Sequence, residues 1–149
     1  MPKSEYYEPK KLPGEKPYPQ IKEDADEIYG LLLQADTMMT KVDKIRYNNR
    51  AIDQILDVIK EFTLAYDFEE DREIHLKRMC ANVAVFLLTM RKIGERNVIR
   101  VKNPLDMSSP DSIKLQLIEH IGKLDEGVTR WKNSIIKSRN KGTSGIAKQ

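Results

Sequence analysis

The sequence predicts an all-α protein, an antiparallel up-and-down four-helix bundle with an extended Pro-rich N-terminal arm. Apolar residues recur every three or four positions in four separate stretches, which is the period of an amphipathic helix. The links between these stretches are mostly short, which favours antiparallel neighbours. No convincing strand pattern and no internal repeat is found. At 149 residues, the chain has the size of one domain with its own core.

Residues 1–23 are predicted to form the extended arm. Five of the seven prolines lie among the first twenty residues, and proline removes a backbone donor and keeps its predecessor extended. Tyr6, Tyr7 and Tyr18 could pack on the body or on a neighbouring subunit, and disorder is the alternative. The bundle is expected over residues 24–139, and residues 140–149 are expected to be a flexible basic tail.

Helix one is predicted to begin near Asp24, where acidic residues complement the helix dipole, and to carry Lys41 and Lys44 near its end. Its apolar stripe consists of Ile28, Leu31, Leu32, Ala35, Met38, Met39 and Val42. A break is expected at residues 47–49, because Asn is a good helix cap. Helix two then directs toward the core Ile52, Ile55, Leu56, Ile59, Phe62, Thr63 and Tyr66.

Helix three is predicted from the acidic residues 69–71 to about Asn97. Its stripe consists of Leu76, Met79, Val83, Phe86, Leu87 and Met90. The segment VAVFLL at residues 83–88 is apolar all the way round, and such a helix must be covered on more than one side. A second copy of the protein could supply that cover, so Val85 and Leu88 are candidate oligomer-interface residues.

Helix four is predicted over residues 109–138. Ser109 suits the N-cap, Pro110 suits the first helical position, and Asp111 places negative charge in the first turn. The apolar seam consists of Leu117, Ile121, Leu124, Val128, Trp131 and Ile135. A second set of side chains, spaced by seven and therefore nearly in line, consists of Lys123, Arg130 and Lys137.

The net charge of +3 conceals an asymmetry. Residues 24–76 carry thirteen acidic and six basic side chains, whereas residues 77–149 carry fifteen basic and six acidic ones. This division indicates a polyanionic partner or an assembly of oppositely charged faces, and ordinary solvated helix surface is the alternative. Cations on a rigid scaffold can bind phosphates. The candidates are Arg91, Lys92, Arg96, Arg100, Lys102, Lys123, Arg130, Lys132, Lys137, Arg139 and Lys141.

Patterns of catalysis and metal binding are missing from the sequence. The Glu-x-x-His spacing of a di-iron bundle fails, because Arg72 lies three residues before His75 and Leu117 lies three before His120. No Gly-rich phosphate loop or nucleophile elbow occurs. Cys80 is expected to be a buried, inert thiol, and a single cysteine fits a reducing cytoplasm. We therefore expect a cytoplasmic protein that is not an enzyme and has no metal, cofactor or membrane contact.

Two segments near the C-terminus carry a family resemblance: LIEHIGKL at residues 117–124, followed by Gly127, and SRNKG at residues 138–142. Over residues 24–142 the chain resembles the accessory variability determinant proteins of diversity-generating retroelements. These belong to a four-helix-bundle group that includes proteins encoded by intervening sequences in 23S ribosomal RNA genes. Trp131 departs from the family's Gly-Trp pair, because it lies about one turn beyond the expected place, where Val128 stands.

The resemblance implies a non-catalytic partner of a reverse transcriptase. It implies a homo-oligomer, a pentamer, whose basic surface binds the polymerase and its template RNA or the DNA. Two other interpretations stay open. One is a protein of the ribosomal intervening-sequence type, and the other is a purely structural oligomeric adaptor in which the acidic half of one subunit meets the basic half of the next.

Overall fold

The computed structural model is an all-α four-helix bundle, which confirms the predicted fold class. It describes the backbone of residues 19–100 and 109–147 and the side chains of residues 20–100 and 109–138. The long helices are α1 (Pro19–Asp36), α2 (Asn49–Asp67), α3 (Arg72–Glu95) and α4 (Pro110–Ala147). Within these ranges no strand occurs, and none of the helices is both long and apolar enough to cross a membrane.

Short helical pieces connect the first three long helices. A one-turn helix, Lys41–Asp43, is followed by a π-helical segment, Lys44–Asn48, which leads directly into α2. A 3-10 turn, Glu69–Asp71, joins α2 to α3. The predicted acidic start of helix three is therefore helical, although it forms a tighter turn than the α-helix that follows it.

The four helices form a ring in which α1 packs on α2 and α4, and α3 packs on α2 and α4. Helices α1 and α4 run antiparallel, because Ile21 lies against Gly127 whereas Asp24 contacts His120. A Cβ at Gly127 would lie 3.0 Å from Ile21 Cγ1, so these two helices approach closely at this point. The contact between α3 and α4 is the least extensive of the four.

The predicted stripes of α3 and α4 supply much of the core. Leu76, Met79, Val83 and Phe86 are buried, as are Leu117, Leu124, Val128 and Trp131. The Trp131 ring is fully buried and meets the Phe62 ring of α2 edge-on, with 5.9 Å between the ring centroids. These large side chains join the two diagonal helices across the core.

Helix α1 begins at Pro19, five residues before the predicted start at Asp24. Proline is tolerated at the first helical position, because the N–H that it lacks would be unsatisfied there. Ile21 and Asp24 are buried, so residues 19–23 belong to the bundle and are not extended. The rest of the predicted arm, residues 1–18, lies outside the described residues.

The break after helix one lies at residues 37–40 instead of 47–49. The Thr40 hydroxyl accepts a hydrogen bond from the backbone N–H of Asp43 at 3.1 Å, so a new helical turn begins there. As a result Val42 leaves the predicted stripe and is 57% exposed. Leu56 and Thr63 of α2 are also exposed, and the buried face of that helix is formed by Ala51, Ile55, Val58, Glu61, Phe62 and Ala65.

Helix α4 continues beyond its predicted end at Ser138, and its backbone is helical to Ala147. Side chains after Ser138 lie outside the described part of the chain. The flexibility predicted for residues 140–149 stays a prediction. At about 1.5 Å per residue, the 38 residues of α4 span roughly 57 Å, which makes it the longest element of the bundle.

Candidate nucleic-acid interface

A groove of about 920 Å³ lies between residues 42–50, which include the π-helical segment and the first turn of α2, and the end of α3. Four cationic side chains line it: Arg46, Arg50, Arg91 and Lys92. Three apolar side chains line it as well: Val42, Ile45 and Leu88. We call this feature the basic groove. It combines positive charge with exposed apolar side chains at one end of the bundle.

The π-helical segment explains how this groove is exposed. The backbone N–H of Asn49 donates to Lys44 O, five residues back, so this turn holds more residues than an α-helical turn. Residues before it are therefore rotated relative to the buried face of α2. Ile45 is 64% exposed and Val42 57% exposed, although both would suit the apolar stripe of an uninterrupted helix.

Positive charge exceeds negative charge in the basic groove, which is also lined by one acidic residue, Glu95. In the described part of the chain, Arg46, Arg50 and Arg91 have no carboxylate oxygen within 4.0 Å. Lys92 Nζ lies 3.6 Å from Glu95 Oε1 of its own helix. An exposed pair of this kind contributes little energy and is screened by salt. The groove therefore presents three free guanidinium groups and one weakly paired ammonium.

The structure places two of the sequence-predicted candidates, Arg91 and Lys92, in the basic groove and two more at the same end of α3. Arg96 is exposed and caps the C-terminus of α3. The backbone N–H of Arg100 donates to Met38 O at 3.1 Å, and its guanidinium lies 3.7 Å from Asp43 Oδ2. Lys102 lies outside the described residues.

The predicted line of cations on α4 carries its own compensating acids. Lys123 Nζ lies 3.3 Å from Glu119 Oε2, and Arg130 Nη2 lies 3.5 Å from Glu126 Oε2. Both acids precede their partners by four residues, so the line alternates in charge. Lys137 is exposed and Lys132 is half-buried. None of the four lines the basic groove, and the side chains of Arg139 and Lys141 are not described.

Sequence reasoning missed Arg46 and Arg50. The candidates were taken from the C-terminal half because of its excess of basic residues, and these two arginines lie in the acidic half. Their spacing of four residues was the available signal, because it places both on one side of a helix. Their exposure beside α3 depends on the π-helical segment, which the sequence did not reveal.

The candidate interface residues Val85 and Leu88 are both exposed, by 48% and 56% respectively. Leu88 also lines the basic groove. The apolar surface of α3 therefore extends to solvent, as the all-round apolar segment suggested. The role of these two residues in an oligomer stays a prediction.

Both histidines pair with buried carboxylates. His120 Nδ1 lies 2.9 Å from Asp24 Oδ1, which joins α4 to α1, and His75 Nδ1 lies 2.7 Å from Glu61 Oε1, which joins α3 to α2. No group of three or more His, Cys, Asp or Glu side chains that could hold a metal ion is found among the described residues. The histidines thus connect neighbouring helices.

The single cysteine, Cys80, is half-buried in α3. Burial raises the pKa of its thiol above the ordinary value, the nearby Lys132 ammonium lowers it, and Asp125 raises it further. Because the thiolate is the reactive form, a raised pKa makes the thiol less nucleophilic at neutral pH. The prediction of a buried thiol is wrong in extent, because Cys80 is only half-buried, and the inertness of the thiol stays a prediction that the direction of the pKa shift supports.

No protein-family model matches the chain, and neither a curated protein nor a solved structure is significantly similar to it. The resemblance to the accessory variability determinant proteins therefore stays a prediction, which depends on the two C-terminal segments quoted above. A function must accordingly be argued from the surface of this bundle, and the basic groove is its strongest feature.

Proposed function

We propose that the protein is a non-catalytic accessory protein of a diversity-generating retroelement. It binds RNA or DNA through phosphate contacts in the basic groove, and it acts as a homo-oligomer together with a reverse transcriptase. The nucleic-acid part of this proposal depends on one observation, that four cationic side chains line one groove against a single acid, Glu95: Arg46, Arg50, Arg91 and Lys92. The retroelement part is supported by the family resemblance.

The side chains of the groove fit the phosphate backbone better than they fit a particular base. A guanidinium group presents its N–H donors in a planar fork that matches two phosphate oxygens. Stacked-base recognition needs exposed aromatic rings, and the groove has only Tyr47, which is half-buried. Binding should therefore tolerate changes in nucleotide sequence.

The apolar side chains of the groove suit a different contact. Val42, Ile45 and Leu88 gain nothing from phosphate, but they can bury apolar side chains of a protein. A segment of reverse transcriptase with acidic and apolar residues would match both the cationic and the apolar side chains of the groove. The groove thus offers surface for both partners that the proposal names.

Salt dependence of binding tests the proposal. We expect the variant Arg46→Gln/Arg50→Gln to bind labelled duplex DNA and single-stranded RNA more weakly than the wild type in fluorescence anisotropy titrations. If each arginine contacts one phosphate, the slope of log K against log salt for duplex DNA should fall in magnitude by about 1.8. The matched control is Lys123→Gln/Arg130→Gln, which removes the same charge from residues already paired with glutamates.

The two variants separate the competing outcomes. A control variant that loses more affinity than the groove variant would place the phosphate contacts on α4, as the sequence predicted, and would reject the basic groove. A wild-type protein that binds neither RNA nor DNA at low salt would favour the structural adaptor. That second function is supported by the exposed apolar side chains of Val85 and Leu88.

A further inference from the structure

A second groove, of about 460 Å³, lies between α3 and α4, the pair of neighbours with the least extensive packing. Its lining is mostly apolar and includes Leu87, Met90, Ile93, Ile99, Ile118 and Ile121. We call this feature the α3–α4 groove. Because Ile118 is 67% exposed, the groove offers apolar surface to an occupant. The described part of the chain supplies none.

The charged side chains of the α3–α4 groove are cationic. Arg91 and Lys114 line it, and no acidic residue does so among the described residues. Neither cation has a carboxylate oxygen within 4.0 Å in that part of the chain. Lys114 Nζ donates to the neutral Asn97 side chain, at 2.9 Å from Oδ1. The groove therefore suits an occupant that carries both apolar and acidic side chains.

Two helical glycines leave room for large side chains in the groove. Gly94 of α3 and Gly122 of α4 both line it, and a Cβ added to either would meet nothing within 4 Å. Glycine in the interior of a helix is destabilising relative to alanine, and no contact within the described chain requires it at these two positions. The space beside the glycines can be filled by an aromatic ring, which buries a large apolar area.

One segment among residues 1–18 has the matching chemistry. The sequence Glu5-Tyr6-Tyr7-Glu8 sets two adjacent aromatic residues between two acidic ones. A tyrosine ring has an apolar body and a polar tip, so it can be buried at the edge of a groove that is open to water. The two carboxylates offset the two cations of the groove. These four residues therefore match it in both charge and apolar character.

The beginning of α1 lies within reach of the groove. Ile21 lies against Gly127 of α4, and Gly122 precedes Gly127 by five residues, which is about 7.5 Å along the helix. A path around α4 adds roughly its diameter, about 10 Å. The eleven residues 8–18 span about 34 Å when extended, at about 3.1 Å per residue. Tyr7 can therefore reach the groove of its own chain.

We propose that residues 5–8 dock in the α3–α4 groove of their own chain. The rings of Tyr6 and Tyr7 pack on the apolar side chains of the groove and fill the space beside its glycines. The carboxylates of Glu5 and Glu8 lie near its two cations. Burial of apolar surface supplies most of the binding free energy, because ion pairs at an open surface contribute little.

Tryptic cleavage of the peptide bond after Lys11 measures this docking. A protease needs an accessible chain on both sides of the bond that it cleaves, and Lys11 lies only three residues beyond the docked segment. We expect the wild-type protein to be cleaved there at least about tenfold more slowly than a synthetic peptide of residues 1–18. Tyr6→Ser/Tyr7→Ser should restore the rate of the peptide.

Ile118→Glu tests the same contact from the groove. The substitution removes an exposed apolar side chain and adds a negative charge opposite the acidic segment, so cleavage after Lys11 should be about tenfold faster than in the wild type. Leu56→Glu is the matched control, because Leu56 of α2 is also exposed, by 40%, but does not line the groove. It should be cleaved at the wild-type rate. Far-UV circular dichroism confirms that each variant is folded.

Removal of charge should have a smaller effect than removal of the rings. Lys114→Gln and Glu5→Gln/Glu8→Gln should each speed cleavage about two- to fivefold. The three substitutions together should speed it by less than the product of the two effects, because both variants remove the same interaction. Lys60→Gln, which removes an exposed lysine of α2, should leave the rate unchanged.

Crosslinking tests whether the segment docks on its own chain. In a Cys80→Ser background, Ser4→Cys/Leu115→Cys sets one cysteine beside the segment and another next to the groove. Leu115 is 67% exposed and does not line the groove, so its substitution leaves the docking surface intact. A short bismaleimide should join these two cysteines within one chain, and it should do so faster than for Ser4→Cys/Leu56→Cys.

Four results would overturn the proposal: wild-type cleavage as fast as that of the peptide, Ile118→Glu cleaved no faster than Leu56→Glu, equal crosslinking at Leu115 and Leu56, or crosslinks that join two chains. None of the substituted residues of the bundle lines the basic groove. The inference therefore does not depend on the proposed function, and the salt slope of nucleic-acid binding can fail or hold independently of it.

Discussion

The reactivity of the Cys80 thiol depends on the burial and the charges around it. Because burial and Asp125 raise its pKa more than Lys132 lowers it, a smaller fraction of this thiol is ionised at pH 8 than of an exposed cysteine. We expect Cys80 to react with Ellman's reagent more slowly than a cysteine in a short peptide. Its rate should continue to rise with pH beyond the point at which the peptide thiol levels off, because only the thiolate reacts.

Lys132 supplies the control for this expectation. Its ammonium lowers the pKa of Cys80, so Lys132→Gln should raise the pKa further and slow the reaction at pH 8. Lys123→Gln removes the same charge elsewhere on α4, and Cys80 should react as in the wild type. If wild-type Cys80 reacts as fast as the peptide thiol, its surroundings neither raise its pKa nor restrict access of the reagent.

At the scale of the element, Asn48 holds the π-helical segment against α1. The side chain is fully buried, and its Nδ2 donates to Leu32 O at 3.1 Å and to Asp36 Oδ1 at 3.0 Å. Asn48→Ala would remove both hydrogen bonds, of which the one to Leu32 O is buried and the one to Asp36 Oδ1 is part-buried. We expect the free energy of unfolding in urea to fall by about 1–3 kcal/mol.

Asn49 is the matched control for Asn48. It is the next residue and the first of α2, but it is exposed. Asn49→Ala should change the free energy of unfolding by no more than about 0.5 kcal/mol, as is usual for a surface substitution. Equal effects at the two positions would mean that the amide of Asn48 does not anchor the segment.

The sequence predicted the long elements better than their junctions. The stripes of α3 and α4 lie in the core because each is a single pattern that runs without interruption for several turns. The junction after α1 could not be placed, because Ala35, Met39 and Val42 continue the spacing across a chain that in fact turns at residues 37–40. The spacing of apolar residues cannot show that the Asn48 side chain forms hydrogen bonds to α1 and does not cap a helix.

The candidate site, like the fold, is predictable from the sequence where it lies on a long helix and not where it lies at a junction. Arg91 and Lys92 are predicted from the sequence because they lie at the end of a long helix, and both line the basic groove. Arg46 and Arg50 depend on the π-helical turn, which forms through tertiary contacts and has no clear signature in the residues themselves. Conversely, the acids that pair with Lys123 and Arg130 stand four residues before each cation, so the sequence spacing is enough to predict both pairs.

At the scale of the whole molecule, two helix pairs are each joined by a buried carboxylate and an imidazole. Asp24 and His120 join α1 to α4, and Glu61 and His75 join α2 to α3. Among the described residues no such pair joins α3 to α4, where the second groove opens. Helix α3 thus has the basic groove on one side and, on the other, a mostly apolar groove of about 460 Å³ between α3 and α4, and Arg91 lines both.

The pair Asp24–His120 closes the ring of helices between residues 96 positions apart. Asp24 Oδ2 is buried without a hydrogen-bond partner among the described residues, so Oδ1 depends on His120. We expect His120→Ala to lower the free energy of unfolding by about 1–3 kcal/mol, because it leaves a buried carboxylate unpaired. Asp24→Ala/His120→Ala should cost less than the sum of the two single variants, since neither partner then remains unsatisfied.

An exposed ion pair on α1 is the reference for the double-mutant cycle of Asp24 and His120. Lys22 and Asp26 lie 2.9 Å apart, with side chains 48% and 50% exposed, and their coupling energy should not exceed about 0.5 kcal/mol. Both cycles are measured by urea unfolding at one protein concentration, because self-association would otherwise shift the apparent stability. If the coupling of Asp24 and His120 is no larger than that of the exposed pair, burial does not strengthen it. The closure of the ring would then depend on apolar contacts such as that between Ile21 and Gly127.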